Sequence, residues 1–144
     1  MLTGSHEHTL DEKNRLTLPA RLRKSFADGV VLSRGLDSCI AVYPRVEWER
    51  SLGKRIGELE GLSRDDRRLQ RYVFSSAAEA ELDKQGRVMV PAGLMEHAGL
   101  GREVTVAGVY DHLEIWDRAA WRAEMHEVEG SADDVAERLA GKRD

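Results

Sequence analysis

Short runs of alternating apolar and polar residues occupy much of the chain, separated by Gly, Asn, Asp or Pro. Period-2 alternation between such boundaries predicts half-buried β-strands. The pattern marks strands at about residues 5–10 and 15–18, at Val30 to Ser33 and at Ser38 to Tyr43. It marks them again at about 77–82 and 87–90, at Glu103 to Ala107 and at His112 to Trp116. Helical spacing fills the gaps. Pro19 and Pro91 fit the first position of a short helix, where a missing N–H costs nothing, and Leu22 with Phe26 then shares one face. Asp28-Gly29 and Ala98-Gly99 end these helices. After Pro44, Trp48, Leu52, Ile56 and Leu59 form an apolar stripe that Gly53 and Gly57 weaken. Ser63 followed by Asp66 resembles a capping box, opening a helix that turns Leu69, Tyr72 and Val73 inward. Asp117 is placed to cap a last helix carrying Trp121, Met125 and Val128. Ser131 to Arg143 is polar and acidic, apolar only at Val135 and Leu139, and is expected to fray or to depend on a neighbour.

The order of elements occurs twice because the sequence itself does. Asp11 to Leu22 aligns without gaps on Asp83 to Leu94 at an offset of 72, and Gly35 to Trp48 on Gly108 to Trp121 at an offset of 73. Identical Asp, Arg, Pro, Ala and Trp at matched positions indicate a duplication. The expected organisation is a first repeat over residues 1–60, a helical connector over 61–76, a second repeat over 77–128 and a polar tail over 129–144. The fold class is α+β, two β modules with peripheral helices. Modules of about seventy residues bury little core alone, and their short hairpins leave strand edges unpaired, so each must lean on a partner.

Both repeats carry the turn Asp-x-x-Asn/Gly-Arg. Asn14 and Gly86 are residue types that tolerate positive φ, and Asp11 and Asp83 can initiate the turn through the backbone two residues on. With Leu16 and Leu18, or Val88 and Val90, facing inward, alternation puts Arg15 and Arg87 on the solvent face. Each tip then presents a guanidinium beside the ammonium of Lys13 or Lys84. A two-stranded ribbon fits the major groove of DNA, and Arg can bond phosphate or guanine bidentately. Arg21, Arg23 and Lys24 extend the patch in the first repeat only, since their counterparts are Gly93, Met95 and Glu96. Turn formation alone needs only the Asp and the Asn or Gly, so recurrence of the Arg favours a reader of DNA over a solvated surface.

Composition adds constraints. The formal net charge is −4, but residues 1–72 hold 14 Lys and Arg against 11 Asp and Glu, and the remainder 8 against 15. On that split the first repeat is the principal contact. No apolar run reaches the roughly 18 residues of a membrane span, and residues 1–8 lack the basic and apolar regions of a secretory signal, so the expected location is cytoplasmic. Cys39, the single cysteine, sits in an apolar stretch and is expected to be an inert core thiol. His6-x-His8 could suggest a metal site, but their repeat counterparts are Ala78 and Ala80, which favours packing. Asp65-Asp66 lies among Arg64, Arg67, Arg68 and Arg71 and reads as a solvated or inter-subunit face. Trp48 and Trp121 read as core anchors. No catalytic, phosphate-loop or zinc spacing is present, so an enzyme is disfavoured.

The run from His6 to Arg21, with Gly35-Leu36-Asp37 leading into Val42-Tyr43-Pro44 and the repeat Asp83 to Pro91, resembles the MraZ family of transcriptional regulators, whose repeats are of the swapped-hairpin AbrB/SpoVT class. The resemblance spans roughly residues 1–125. It implies an interlaced β-barrel core and closed ring-shaped homo-oligomers. It also implies nucleoid association and regulation of the division and cell-wall gene cluster holding its own gene, through short direct repeats in double-stranded DNA. The family's Asp-x-x-x-Arg motif maps onto Asp11 with Arg15 and Asp83 with Arg87, Asn14 replacing the first repeat's usual Gly. The expected DNA-contacting residues are Lys13, Arg15, Arg21, Arg23, Lys24, Lys84 and Arg87. No metal, cofactor, membrane or small-molecule substrate is implied. The competing reading is an antitoxin-like or scaffold protein of the same hairpin class that binds a protein partner through its tail.

Overall fold

Alternation along the chain is resolved into eight short strands, but their pairing crosses between the repeats. In the computed structural model, which describes residues 1–143, the strands are β1 (Ser5–Thr9), β2 (Arg15–Thr17), β3 (Val30–Arg34), β4 (Ile40–Pro44), β5 (Ala78–Ala80), β6 (Arg87–Met89), β7 (Glu103–Gly108) and β8 (Leu113–Asp117). The helices are α1 (Arg45–Arg50), α2 (Leu52–Gly57), α3 (Arg64–Phe74), α4 (Ala92–Ala98) and α5 (Arg118–Arg143), and Ala20–Phe26 forms a 3₁₀ segment. Six strands make one antiparallel sheet in the order β1-β7-β8-β4-β3-β5, while β2 and β6 form a separate two-stranded ribbon. The first strand of each repeat therefore pairs with the second hairpin of the other: β1 with β7, and β5 with β3.

Two expectations are corrected here. The segments at 5–10 and 15–18 do not pair as a hairpin; only the turn joins them, closed by bonds from Asn14 N to Asp11 O and from Asp11 N to Arg15 O. Nor is the sheet closed into a barrel, since β1 and β5 are its free edges and the three-residue ribbon strands are too short to bridge them. The repeat alignment also shifts. His8 pairs with Val104 and its counterpart Ala80 with Val30, so β3 and β7 correspond at an offset of 74, whereas the hairpin registers make β4 and β8 correspond at 73. The odd residue lies in the loop between β3 and β4.

One core serves both repeats. Leu16, Leu18, Val88 and Val90 from the ribbon and its flanks are buried with Val30, Leu32, Ile40, Val42, Val104, Val106, Leu113 and Ile115 from one face of the sheet. Leu22 and Phe26 from the 3₁₀ segment join the same cluster with Leu94 and Ala98 from α4. Pro19 and Pro91 stand just before their helices, in extended conformation, rather than as the first helical residue. The stripe after Pro44 is broken at Ser51, whose hydroxyl donates to Asp111 at 2.9 Å, and Gly53 leaves room for the Trp48 carbonyl, which a Cβ would meet at 2.6 Å. Trp48 and Trp121 are half-buried, edge-on to Tyr43 and Trp116 respectively, and so line the core rather than fill it. Ser63 caps α3 by accepting from Asp66 N. Within α3 only Val73 is fully buried. The polar tail is helical, continuous with the segment that Asp117 caps.

Candidate nucleic-acid interface

Each turn is built around its aspartate. Asp11 Oδ1 accepts from the amides of Lys13 (2.9 Å) and Arg15 (2.8 Å), and Oδ2 accepts from Arg15 Nε at 2.6 Å. Asp83 repeats the arrangement with Gln85 N, Arg87 N and Arg87 Nε at 2.9, 2.9 and 2.7 Å. Donation from the Arg backbone amide, with the guanidinium and the neighbouring amide adding to it, holds both carboxyls below the ordinary aspartate value against the opposing effect of burial. Asn14 and Gly86 take φ of 57° and 75°, as the turn requires. The guanidinium is therefore part of the turn, which corrects the expectation that turn formation has no use for it. Only Nε is consumed: among the described residues, neither Arg has a protein acceptor on its terminal nitrogens.

The ribbon places these two clasps on one surface. Arg15 lies opposite Met89 and Thr17 opposite Arg87, with the inward pair Leu16 and Val88 between them. Arg15 and Arg87 are thus diagonal neighbours on the outward face, their Cα atoms about 7–8 Å apart. The ladder extends past both ends, Leu18 N donating to Gly86 O and Val90 N to Asn14 O, so each turn is tied to the opposite strand. Both Arg side chains are 27% exposed, and each makes the same bond to its aspartate.

The remaining cations are redistributed by the strand exchange. Arg23 belongs to the second turn: its Nε donates to Leu18 O, and its guanidinium fills the space that a Cβ on Gly86 would need. Arg21 points elsewhere, donating to Thr3 O at 2.8 Å and lying 2.9 Å from His6 Nε2. Lys13, Lys24 and Lys84 are exposed. The first turn gains Arg102, which the sequence reading missed; it lines a shallow depression of about 360 Å³ with Asp11, Glu12, Lys13 and Arg15. Its backbone carbonyl accepts from Leu10 N. An Arg beside an inter-repeat pairing has no sequence signature until that pairing is known. Each turn is left with three cations, Lys13, Arg15 and Arg102 beside Glu12 at one end and Lys84, Arg87 and Arg23 at the other, so the cationic excess of the first half does not carry over to the ribbon.

The family model described as "MraZ protein, putative antitoxin-like" matches this chain twice in tandem, over residues 1–71 and 73–143. The chain belongs to the MraZ family. Curated relatives include proteins named transcriptional regulator MraZ from Heliobacterium modesticaldum, 43% identical over 139 residues and 96% of each chain, and from Roseiflexus castenholzii, 41% identical over 143 residues and 99% of each. The namesake from Limosilactobacillus fermentum is 40% identical over 136 residues, 94% of each chain. In this MraZ-family chain Cys39 is buried, and burial pushes its thiol up to about 12. His6 and His8 share one side of β1, with His6 engaged by Arg21, and among the described residues no group of three potential ligands is placed to hold a metal ion. Asp65 and Asp66 occupy the first turn of α3, where carboxylates favour the helix dipole. No helix among the described residues is long and apolar enough to cross a membrane.

Proposed function

We propose that the chain is a sequence-specific DNA-binding transcriptional regulator whose β2–β6 ribbon enters the major groove. The observation that carries the reading is the pair of Asp–Arg clasps. Each carboxylate fixes a guanidinium by Nε and leaves its terminal nitrogens on the outward face, pre-organised for bidentate donation to guanine or phosphate. Two such groups about 7–8 Å apart fit within one groove about 12 Å wide. Lys13, Arg102, Lys84 and Arg23 flank them and supply salt-dependent contacts to phosphate, with Lys24 at the margin. Arg21, committed to Thr3 and His6, is the weakest of the expected contacts.

The names of the relatives support regulation of transcription. The finer reading is repression of the chain's own operon in the division and cell-wall cluster by a closed homo-oligomeric ring on short direct repeats, in the cytoplasm and on the nucleoid. Residues 1–60 and 77–128 act as its paired modules. A ring holding several ribbons in register with repeated sites adds weak contacts through effective concentration, which answers the net charge of −4. The family description and the exposed far half of α5 favour a second reading, antitoxin-like capture of a protein partner.

Fluorescence anisotropy with a duplex carrying direct repeats, taken across a salt series, tests the first reading. Binding that falls steeply with salt, and exceeds binding to a scrambled duplex, is expected. Absent binding, or binding indifferent to salt and sequence, would remove it.

A further inference from the structure

Helix α5 is the one element whose length the body of the molecule does not explain. Its 26 residues run roughly 39 Å. The root is anchored: Arg118 donates to His8 O at 2.8 Å, Arg122 Nη2 lies 2.7 Å from Glu7 Oε1, and Trp121 stands edge-on to Trp116 at 5.7 Å. Beyond Met125 nearly every described side chain is exposed, including Val128, Val135 and Leu139. A solvated helix carrying Gly130, Gly141 and two valines has little intrinsic stability.

Its apolar residues nevertheless keep a register. The larger ones, Trp121, Met125, Val128, Val135 and Leu139, with Ala132 among them, recur at alternating intervals of four and three, the spacing of a coiled-coil seam, while the other alanines lie off it. The seam is also symmetric about Gly130, so an inverted copy brings Trp121 against Leu139, Met125 against Val135 and Val128 against Ala132. We propose that α5 pairs antiparallel with α5 of a second copy of this chain along this seam.

The flanking charges select that orientation. In the antiparallel register Glu124 faces Arg138 of the second copy, and symmetry makes the pair twice. A parallel register places Glu124 against Glu129 of the second copy instead. Among the described residues neither Glu124 nor Arg138 has an ion-pair partner within its own chain. The one like-charge contact in the antiparallel pair is Glu129 against its symmetry mate. Leu139 of the second copy would lie on the Trp116–Trp121 pair, continuing the seam onto the body of the molecule. The contact does not depend on the DNA-binding reading, and its test contains no DNA.

Val128→Cys and Ala132→Cys, both at seam positions outside the core, are made as separate full-length variants and oxidised with copper phenanthroline, alone and mixed, so that only directly facing thiols are joined. Cys39 stays out of the reaction because it is buried. Antiparallel pairing predicts crosslinked dimers only in the mixture. Crosslinking of either variant with itself, or none in the mixture, overturns the proposal. Sedimentation provides the second arm: Glu124→Arg should weaken self-association roughly fivefold, from two exposed ion pairs. Adding Arg138→Glu should restore it. Failure of the double variant to restore association also counts against the pairing, as would occupation of the seam by an unrelated protein with no self-association.

Discussion

At the scale of single residues, the Asp–Arg clasp shows how a functional group and a structural one coincide. Arg15 and Arg87 have the same bonds and the same exposure, so Arg15→Ala and Arg87→Ala should weaken DNA binding by similar amounts, about 1–3 kcal/mol each, in anisotropy titrations. A more than tenfold difference between them would restore the asymmetry that the charge split suggests. Gly86 carries two constraints, φ of 75° and the Arg23 side chain against its Cα, so Gly86→Ala should cost about 1–2 kcal/mol or more in urea unfolding. The turn residues and both arginines were legible in the sequence, since local spacing encodes them. Arg102 and the true place of Arg23 were not, because strands distant in sequence bring them to the turns. His112 offers a check on pH. Burial lowers its pKa, but the hydrogen bonds its ring donates to Glu114 and Asp111, with the charges of those carboxylates, outweigh this and raise it above the ordinary 6.5. A raised value means that its contribution is complete below about 6.5 and lost as pH rises through the folded-state value. Thermal unfolding followed from pH 6 to 8 should therefore show a fall in stability that His112→Gln abolishes.

At the scale of elements, the ribbon is the piece on which the site depends. Leu16 faces Val88 across it, and both are fully buried, so Leu16→Ala should destabilise the chain by roughly 2–5 kcal/mol in chemical denaturation. The variant should also lose DNA binding beyond what partial unfolding explains, because both clasps ride on the same two strands. Strand positions were readable to within a few residues, since alternation and turn chemistry are local signals. Their partners were not: β1 and β2 flank a tight turn, yet neither pairs with the other. Alternation fixes which face of a strand is buried and is silent about which neighbour supplies the hydrogen bonds. The break between α1 and α2 was foreshadowed by Gly53, whereas the extent of α5 was not. The few apolar residues in Ser131 to Arg143 gave no bound for the helix, although the four-three spacing continues through Val135 and Leu139.

At the scale of the whole molecule, two repeats in sequence make one core in space. Residues 1–71 alone would leave β1 and β2 without partners, and residues 73–143 alone would leave β5 and β6 without partners and β7 and β8 each missing one. Neither fragment should give the dispersed amide spectrum of a folded chain, and mixing the two should restore it; a fragment that folds independently would contradict the shared core. The exchange of strands also sets a timetable during synthesis. β5 emerges to find β3 already made, but β1 leaves the ribosome first and must wait for everything up to Glu103, roughly five to twenty seconds at ordinary elongation rates. An unpaired strand waiting that long is a nucleus for aggregation. The sequence of that strand, Ser5-His6-Glu7-His8-Thr9, contains no aliphatic residue, so the segment with the longest wait is also one of the least adhesive in the chain.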